Sequence, residues 1–463
     1  MRALKNGSPD MKTLLTGLAL VTALVVGACD FNITNPNSPP PIGPNATPDQ
    51  VKSAAVGTLV ALRVDVPRWV LTGAILGREG YRLDTADPRF TTELLQGPLD
   101  PSNDAFGGGQ WAAEYRAVQS GYQILNVIGS AQITPGEREG VRGFVHTIQA
   151  LAFLMVLNAH TEDSIPVDVN RAIDQPLAPF VSNDSAYKFV LGLLDSARTE
   201  LQAATGLGFD PGPGFTNFNT PAAFLQFNRG VAARVQAYRA SPSAPGVGCT
   251  ACWDTVITNL TQSFMDTTAS LDLGGYHVFS TGNQDTPNGL SQAPASAVNL
   301  AHPAIKANAE LQTGGGALDK RFLAKVTDRP DTFSLSGLSS ALSWIRYPSP
   351  NSSVPILRNE ELILLWAEAR LGQGNTAEAA QFINFVRRVS GGLTPIANLA
   401  SQTTDSIRTV LLKERLYSLL YEGGHHWIDM RRYGRLNQLP VDRTGDVIFS
   451  TLPVNSFEVQ ARK

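Results

Sequence analysis

Leu357 to Gly392 reads LRNEELILLWAEARLGQGNTAEAAQFINFVRRVSGG. Two apolar-periodic runs flank the break GQGN, which has the composition of a turn. Leu362, Leu365, Trp366 and Ala369 make one stripe at helical spacing. Ala379, Ile383 and Val386 make a second stripe that faces it, and Gly391-Gly392 stop the run. The spacing predicts a helical hairpin.

Small residues opposed to bulky ones across about 34 residues resemble a tetratricopeptide unit. The pattern extends in both directions. Downstream, SQTTDSIRTVLLKERLYSLLYEGGHHWIDMRRYGRL is again helical. Upstream, TPDQVKSAAVGTLVALRVDV opens at a Thr-Pro-Asp start signal. In GQWAAEYRAVQSGYQILNVIGSA, Trp111, Tyr115, Val118, Tyr122, Leu125 and Ile128 step by three or four. TPGEREGVRGFVHTIQALAFLMVLNAH starts at Thr134-Pro135, with Glu137 placed to close a capping box, and is apolar nearly all round. That predicts a central, buried helix. DSAYKFVLGLLDSARTELQAA and NTPAAFLQFNRGVAARVQAYRAS complete a first helical set. Strand-like stretches such as GYHVFS and DVIFSTLPV are short and few. The fold class expected is mostly α, with helical pairs supporting a loop-rich half. The loop-rich insertions fall at about 77–110 and 272–320, and 203–220 has the same Gly, Pro and Asn bias.

The bulk numbers fit this. The chain has 463 residues, is 43% hydrophobic and 17% charged, and carries a formal net charge of -3. That is enough apolar residue for a large core. It provides no general attraction to nucleic acid or to anionic lipid.

The N-terminus has another character. From Met11, read as the start, a single Lys12 precedes an apolar run from Leu14 to Val26 and then small residues before Cys29. This is the pattern of a secretory signal peptide over residues 1–28. Val26-Gly27-Ala28-Cys29 resembles the lipobox of bacterial lipoproteins, which makes Cys29 the expected lipidation site and membrane tether. Residues 29–47, rich in Pro and Asn, then form a leader, and 48–463 a single domain. The other cysteines, Cys249 and Cys252, form a C-x-x-C. Such a pair serves redox chemistry, half a metal site or a local disulfide. With no further ligands nearby and an oxidising compartment expected, the disulfide is the reading favoured.

The C-terminal third resembles the SusD/RagB family. Its signature is carried here by Arg358 and Glu361, Ala367-Glu368-Ala369, Asn384 and Arg387, Glu414-Arg415, and Gly424, His426, Asp429 and Arg432. His426 stands where that family usually has arginine, and Ser418 where it usually has glutamate. The resemblance is looser over 108–240. It implies an outer-membrane lipoprotein facing the cell exterior, with tetratricopeptide-like helical pairs. Such a protein is the lid of a SusC-like TonB-dependent β-barrel, captures an oligosaccharide or a peptide, and is not an enzyme. The signature charges are read as structural: buried carboxylates and guanidiniums need partners, and this set can supply them to one another.

Catalytic motifs are missing from the sequence: there is no G-x-S-x-G, no Walker loop, no dinucleotide fingerprint and no H-E-x-x-H. No cofactor is implied. A sugar site asks for aromatic faces ringed by polar side chains. Two stretches offer them. GREGYRLDTADPRFTTELLQGPLDPSNDAFGGGQW contributes Tyr81, Arg82, Arg89 and Phe90, and LGGYHVFSTGNQDTPNG contributes Tyr276. The competing reading is an envelope scaffold of tetratricopeptide type that binds proteins rather than nutrients.

Overall fold

The computed structural model describes residues 42–172, 174–242, 249–283 and 285–463. The apolar segment 14–26 and Cys29 lie outside the described residues, as does the leader up to residue 41.

The N-terminal helices are α1 (Pro48–Arg63), α2 (Val66–Leu76), α3 (Arg89–Gln96), α4 (Ala112–Val127), α5 (Pro135–Ala159), α6 (Asn183–Ala203), α7 (Pro221–Ala240) and α8 (Cys252–Thr261). Short helices α9 (Pro303–Ala307) and α10 (Lys320–Lys325) follow. Then come α11 (Asn359–Gly372), α12 (Thr376–Val389), α13 (Thr404–Ser418), α14 (His425–Arg432) and α15 (Ser456–Ala461). The strands are β1 (Gly80–Arg82), β2 (Ile165–Pro166), β3 (Phe180–Val181), β4 (Gly274–His277), β5 (Asn299–Ala301), β6 (Val326–Leu335), β7 (Leu338–Trp344) and β8 (Val354–Arg358). The chain is therefore mostly α with few, short strands.

Each start signal acts through a cap. Thr47 and Thr134 close capping boxes with Gln50 and Glu137; Thr134 Oγ1 accepts from the Glu137 amide at 3.2 Å, and Glu137 Oε2 accepts from the Thr134 amide at 2.9 Å. Helix α5 is long and apolar enough to cross a membrane, yet it is buried between α4 and α6. From it the helices stack in series: α4 on α5, α5 on α6, α6 on α7, α7 on α8, α8 on α11, and α11 on α12 and α13. This is repeat-like packing, in which each pair buries the apolar face of the next.

The hairpin 357–392 forms, but with a different seam. Ile363, Leu364, Ala367 and Leu371 meet Ala379, Ala380, Ile383 and Val386. The expected stripe of Leu362, Leu365 and Ala369 is buried too, and Leu362 lies close to Gly230 of α7. Trp366 is only partly buried and donates to Glu378 at 2.8 Å. Helix α11 is apolar on every side because it has neighbours on every side, so periodicity could not select the face toward α12.

The loop-rich regions hold more order than expected. Region 77–110 contains β1 and α3, and 272–320 contains β4, β5 and α9. The main sheet is antiparallel in the order β1-β5-β7-β6, and β4 pairs with β8 through a bulge at Gly275/Tyr276. GYHVFS supplies β4 as expected, whereas DVIFSTLPV forms no strand. A second core joins sheet and helices, with Trp344 stacked on Tyr421 at 4.2 Å and Val70, Ile75, Leu300 and Tyr417 around them. Cys249 and Cys252 are joined in a disulfide at the start of α8, and Arg239 Nη1 donates to Cys252 Sγ at 3.1 Å.

One crossing is made by bare backbone. A Cβ on Gly73 of α2 would sit 2.5 Å from Gly424 Cα, and Gly424 is itself left-handed at φ 69°. Gly73→Ala must push α2 off the turn before α14. It is expected to cost about 1–3 kcal/mol, read as a lower urea midpoint with unchanged slope.

Candidate ligand-binding site

β1 is an edge strand, and its alternation separates the residues that the sequence grouped together. Tyr81 pairs with Leu300 and points into the core; only 3% of it is exposed. Its ring lies 4.9 Å from that of His302, and its phenol is hydrogen-bonded to Asp442. Tyr81 therefore offers no face to a ligand, which corrects its place among the candidates. Arg82, one residue on, points to the other side and is partly exposed.

Arg82 begins a stack. Its guanidinium lies 4.4 Å over the ring of Phe90, in the first turn of α3. Phe90 meets Phe106 edge-on at 4.8 Å, and the Arg89 guanidinium lies 4.3 Å over Phe106. Two carboxylates set the arginines in place. Asp84 Oδ2 accepts from Arg82 Nη2 at 2.8 Å, and Asp87 accepts from Arg89 Nε at 2.9 Å and Nη2 at 2.8 Å. The Arg89 hydrogen bond holds the Asp87 carboxyl below its usual range. Phe106 is brought beneath by a tight loop in which the Asp100 amide donates to the Phe106 carbonyl and the Gly108 amide to the Asn103 carbonyl, both at 2.9 Å.

The outcome is a cation–aromatic surface without net charge, two arginines balanced by two aspartates. Nη1 of each arginine has no acceptor among the described residues. The partly exposed Phe90 ring, the free guanidinium donors and the partly exposed carboxylates suit a neutral polyhydroxyl ligand, while Phe106, 2% exposed, supports them from beneath and offers no face of its own.

Tyr276 lies elsewhere. It lines a groove of about 310 Å³ with Val56, Leu59 and Val60 of α1, Pro213 and Phe215. Its phenol donates to the Asp272 carbonyl, and burial pushes it up to about 12. Arg63 closes the groove by pairing with Asp285 and the Val278 carbonyl. Among the described residues, Tyr276 shares no ring contact, hydrogen bond or cavity with the Arg82–Phe106 stack.

A further cleft of about 310 Å³ escaped the sequence reading. Trp111 and Tyr115 form one wall, with Arg171, Gln175 and Arg462 around it. Tyr115 donates to the Pro166 carbonyl at 2.7 Å, and Arg462 lies 4.4 Å over Phe180. In the sequence both aromatics belong to a helix stripe, and the opposite wall comes from chain more than 50 residues away.

The signature charges are buried and paired. Asp429 accepts from Arg415 Nε at 2.7 Å and lies 2.8 Å from Arg432 Nη2, while Glu368 takes the Arg432 fork and the Tyr433 hydroxyl. Arg387 bridges Glu414 at 2.5 Å and Glu310 at 2.7 Å, and its hydrogen bond draws the Glu310 carboxyl down to about 2. Arg358 is held by Glu422 and Glu360, and Glu361 by Arg234. Asn384 ties Ile396 by both its amide and its carbonyl. Ser418, in place of the usual glutamate, accepts from Arg321 at 3.1 Å. His426 is partly buried, its Nδ1 is enclosed with no partner among the described residues, and desolvation pushes it down to about 4. No three of the described His, Cys, Asp or Glu side chains are grouped so as to hold a metal ion.

Residues 346–455 match the SusD family. A SusD homolog from Bacteroides thetaiotaomicron superposes with a TM-score of 0.64 at 14% identity, covering 90% of this chain and 96% of the other. A SusD superfamily protein from Bacteroides vulgatus gives 0.62 at 15%, covering 89% and 97%. A structure crystallised with a xylogluco-oligosaccharide gives 0.60 at 14%, covering 85% of each chain. These likenesses establish the shared fold. No curated protein matches the sequence.

Proposed function

We propose that this member of the SusD/RagB family is a surface lipoprotein that captures a glycan and delivers it to a SusC-like TonB-dependent β-barrel. The observation that carries the reading is the match over 346–455, joined to a SusD-like fold along nine-tenths of the chain. Cys29 would hold the protein to the outer membrane by its lipid, with the domain 48–463 outside the cell. Capture would occur at the surface made by Arg82, Phe90 and Arg89 over the buried Phe106, by contact with the partly exposed Phe90 ring and by the two free Nη1 donors. The protein would act by binding and release rather than by turnover.

Xylogluco-oligosaccharide, the ligand in one structural relative, is the first glycan to titrate. Arg82→Ala combined with Arg89→Ala should weaken binding by about tenfold or more, with the urea midpoint nearly unchanged because both side chains sit at the surface. Binding unchanged in that variant would remove the surface from consideration. Independently, a native pull-down from membranes should recover a β-barrel partner, and Cys29→Ala should release the protein from the membrane fraction.

A further inference from the structure

Asp272, whose carbonyl takes the Tyr276 phenol, also borders a pocket of about 290 Å³ walled by α10, the end of β8 and the start of α11. Five cationic side chains and three carboxylates line it. Each carboxylate faces at least one cation, and among the described residues Glu360 Oε1 is left buried without a hydrogen bond. Glu422 faces Lys325 and Arg346 at 3.0 Å each and Arg358 at 2.9 Å. Glu360 and Asp272 face the same Arg358 at 3.0 and 3.2 Å. Arg321 is satisfied by Asp319 and Glu414. Donor capacity exceeds the single acceptor Glu360 Oε1. Nη1 and Nη2 of Arg346 and Nζ of Lys320 have no acceptor among the described residues.

Arg346 is also held still. Its Nε is fixed on Glu422, and its guanidinium lies 5.4 Å over the Tyr347 ring, so the two free nitrogens form a pre-set planar fork. Such a fork matches a carboxylate by two parallel hydrogen bonds. The Asp272 side chain is 78% exposed and can accept hydroxyls beside it. A ligand that brings one carboxylate and several hydroxyls satisfies both features.

We propose that this pocket binds the carboxylate of an acidic saccharide, with Arg346 as its fork and Lys320 as a second cation at the rim. The proposal rests on the reading of the protein as a glycan-capturing lipoprotein, and it adds a ligand class and a site distinct from the Arg82–Phe106 surface.

The test is calorimetric titration of the mature chain with a short oligogalacturonate and, separately, with neutral xylogluco-oligosaccharide. Arg346→Gln should weaken oligogalacturonate binding by about tenfold or more, as expected for loss of a bidentate pair. Lys320→Glu, at an exposed side chain with no partner among the described residues, should leave the fold intact and weaken it by about threefold or more, more so at low salt. Neither should change binding of the neutral glycan. If oligogalacturonate binds equally well to both variants, or fails to bind while the neutral glycan binds, the pocket assignment is wrong and glycan capture stands. If phosphate alone binds with the same dependence on Arg346 and no saccharide does, the saccharide assignment is overturned. If nothing binds at any site, both readings fall.

Discussion

Asp429→Asn is expected to lower the unfolding free energy by about 3–5 kcal/mol, the usual cost of leaving a buried charge without its partner. Asp429 is 1% exposed and faces two guanidiniums, Arg415 at 2.7 Å and Arg432 at 2.8 Å. Asparagine has nearly the same shape but no charge. Glu368 would then stand alone against both arginines, and it lies 3.8 Å from Arg415. The effect should carry a pH signature. Burial works to raise the Asp429 carboxyl, but Arg415 and Arg432 outweigh it and hold the group down to about 2. A carboxylate lowered in the folded state contributes its stability above the ordinary pKa near 3.8 and loses it as pH falls through about 2. The gap between wild type and variant should therefore be full at pH 6 and narrow by about 2 kcal/mol toward pH 2. Asp405→Asn is the control. Its side chain pairs with Arg435 but is 75% exposed, so its loss should cost under about 1 kcal/mol. Urea unfolding of the three proteins decides the matter, and equal midpoints for the Asp429 variant and wild type would show that the pair contributes nothing net.

This network also marks the limit of sequence reading. Local signals were legible: the Thr-Pro caps at Thr47 and Thr134, the break at GQGN and the buried run 135–159 all act where the pattern placed them. The signature charges could be recognised as a set that needs partners. Which partner serves which could not be read, because Arg234 meets Glu361 across 127 residues and Arg358 meets Glu422 across 64. The β6–β7 hairpin carried a turn signal, Ser336-Gly337, both left-handed in the structure, but its first strand bears Pro330 and a register shift that blur alternation. Tyr81 turns inward for a reason of parity. In a strand of three residues nothing local says whether Tyr81 or Arg82 faces inward; the pairing with β5 decides it. Phe106 could be seen as an aromatic in a glycine-rich loop, yet only the folded loop brings it under Arg89.

Glu114→Gln is expected to stabilise the protein, and to do so only at the alkaline end. Glu114 lies in the first turn of α4, fully buried, and neither carboxylate oxygen is hydrogen-bonded to another group among the described residues. Burial, reinforced by the nearby charge of Asp65, pushes its carboxyl up to about 8. The folded state thus retains a proton that the unfolded chain releases near pH 4.5. Stability from this group is fully present below that pH and is lost as pH rises through about 8. With each pH unit worth about 1.4 kcal/mol, the full span approaches about 5 kcal/mol. Glutamine carries no charge to desolvate, so the variant loses this slope. It should exceed wild type by about 4 kcal/mol at pH 8 and by less than about 1 kcal/mol at pH 5, where both side chains are neutral in the folded state. Glu79, pushed up to about 7 by its own burial, contributes a slope of the same sign in both proteins and cancels in the comparison. Urea midpoints at the two pH values are the measurement. A variant that is less stable than wild type at pH 8 would mean that the Glu114 carboxylate, in its charged form, is held by a partner that outweighs its burial.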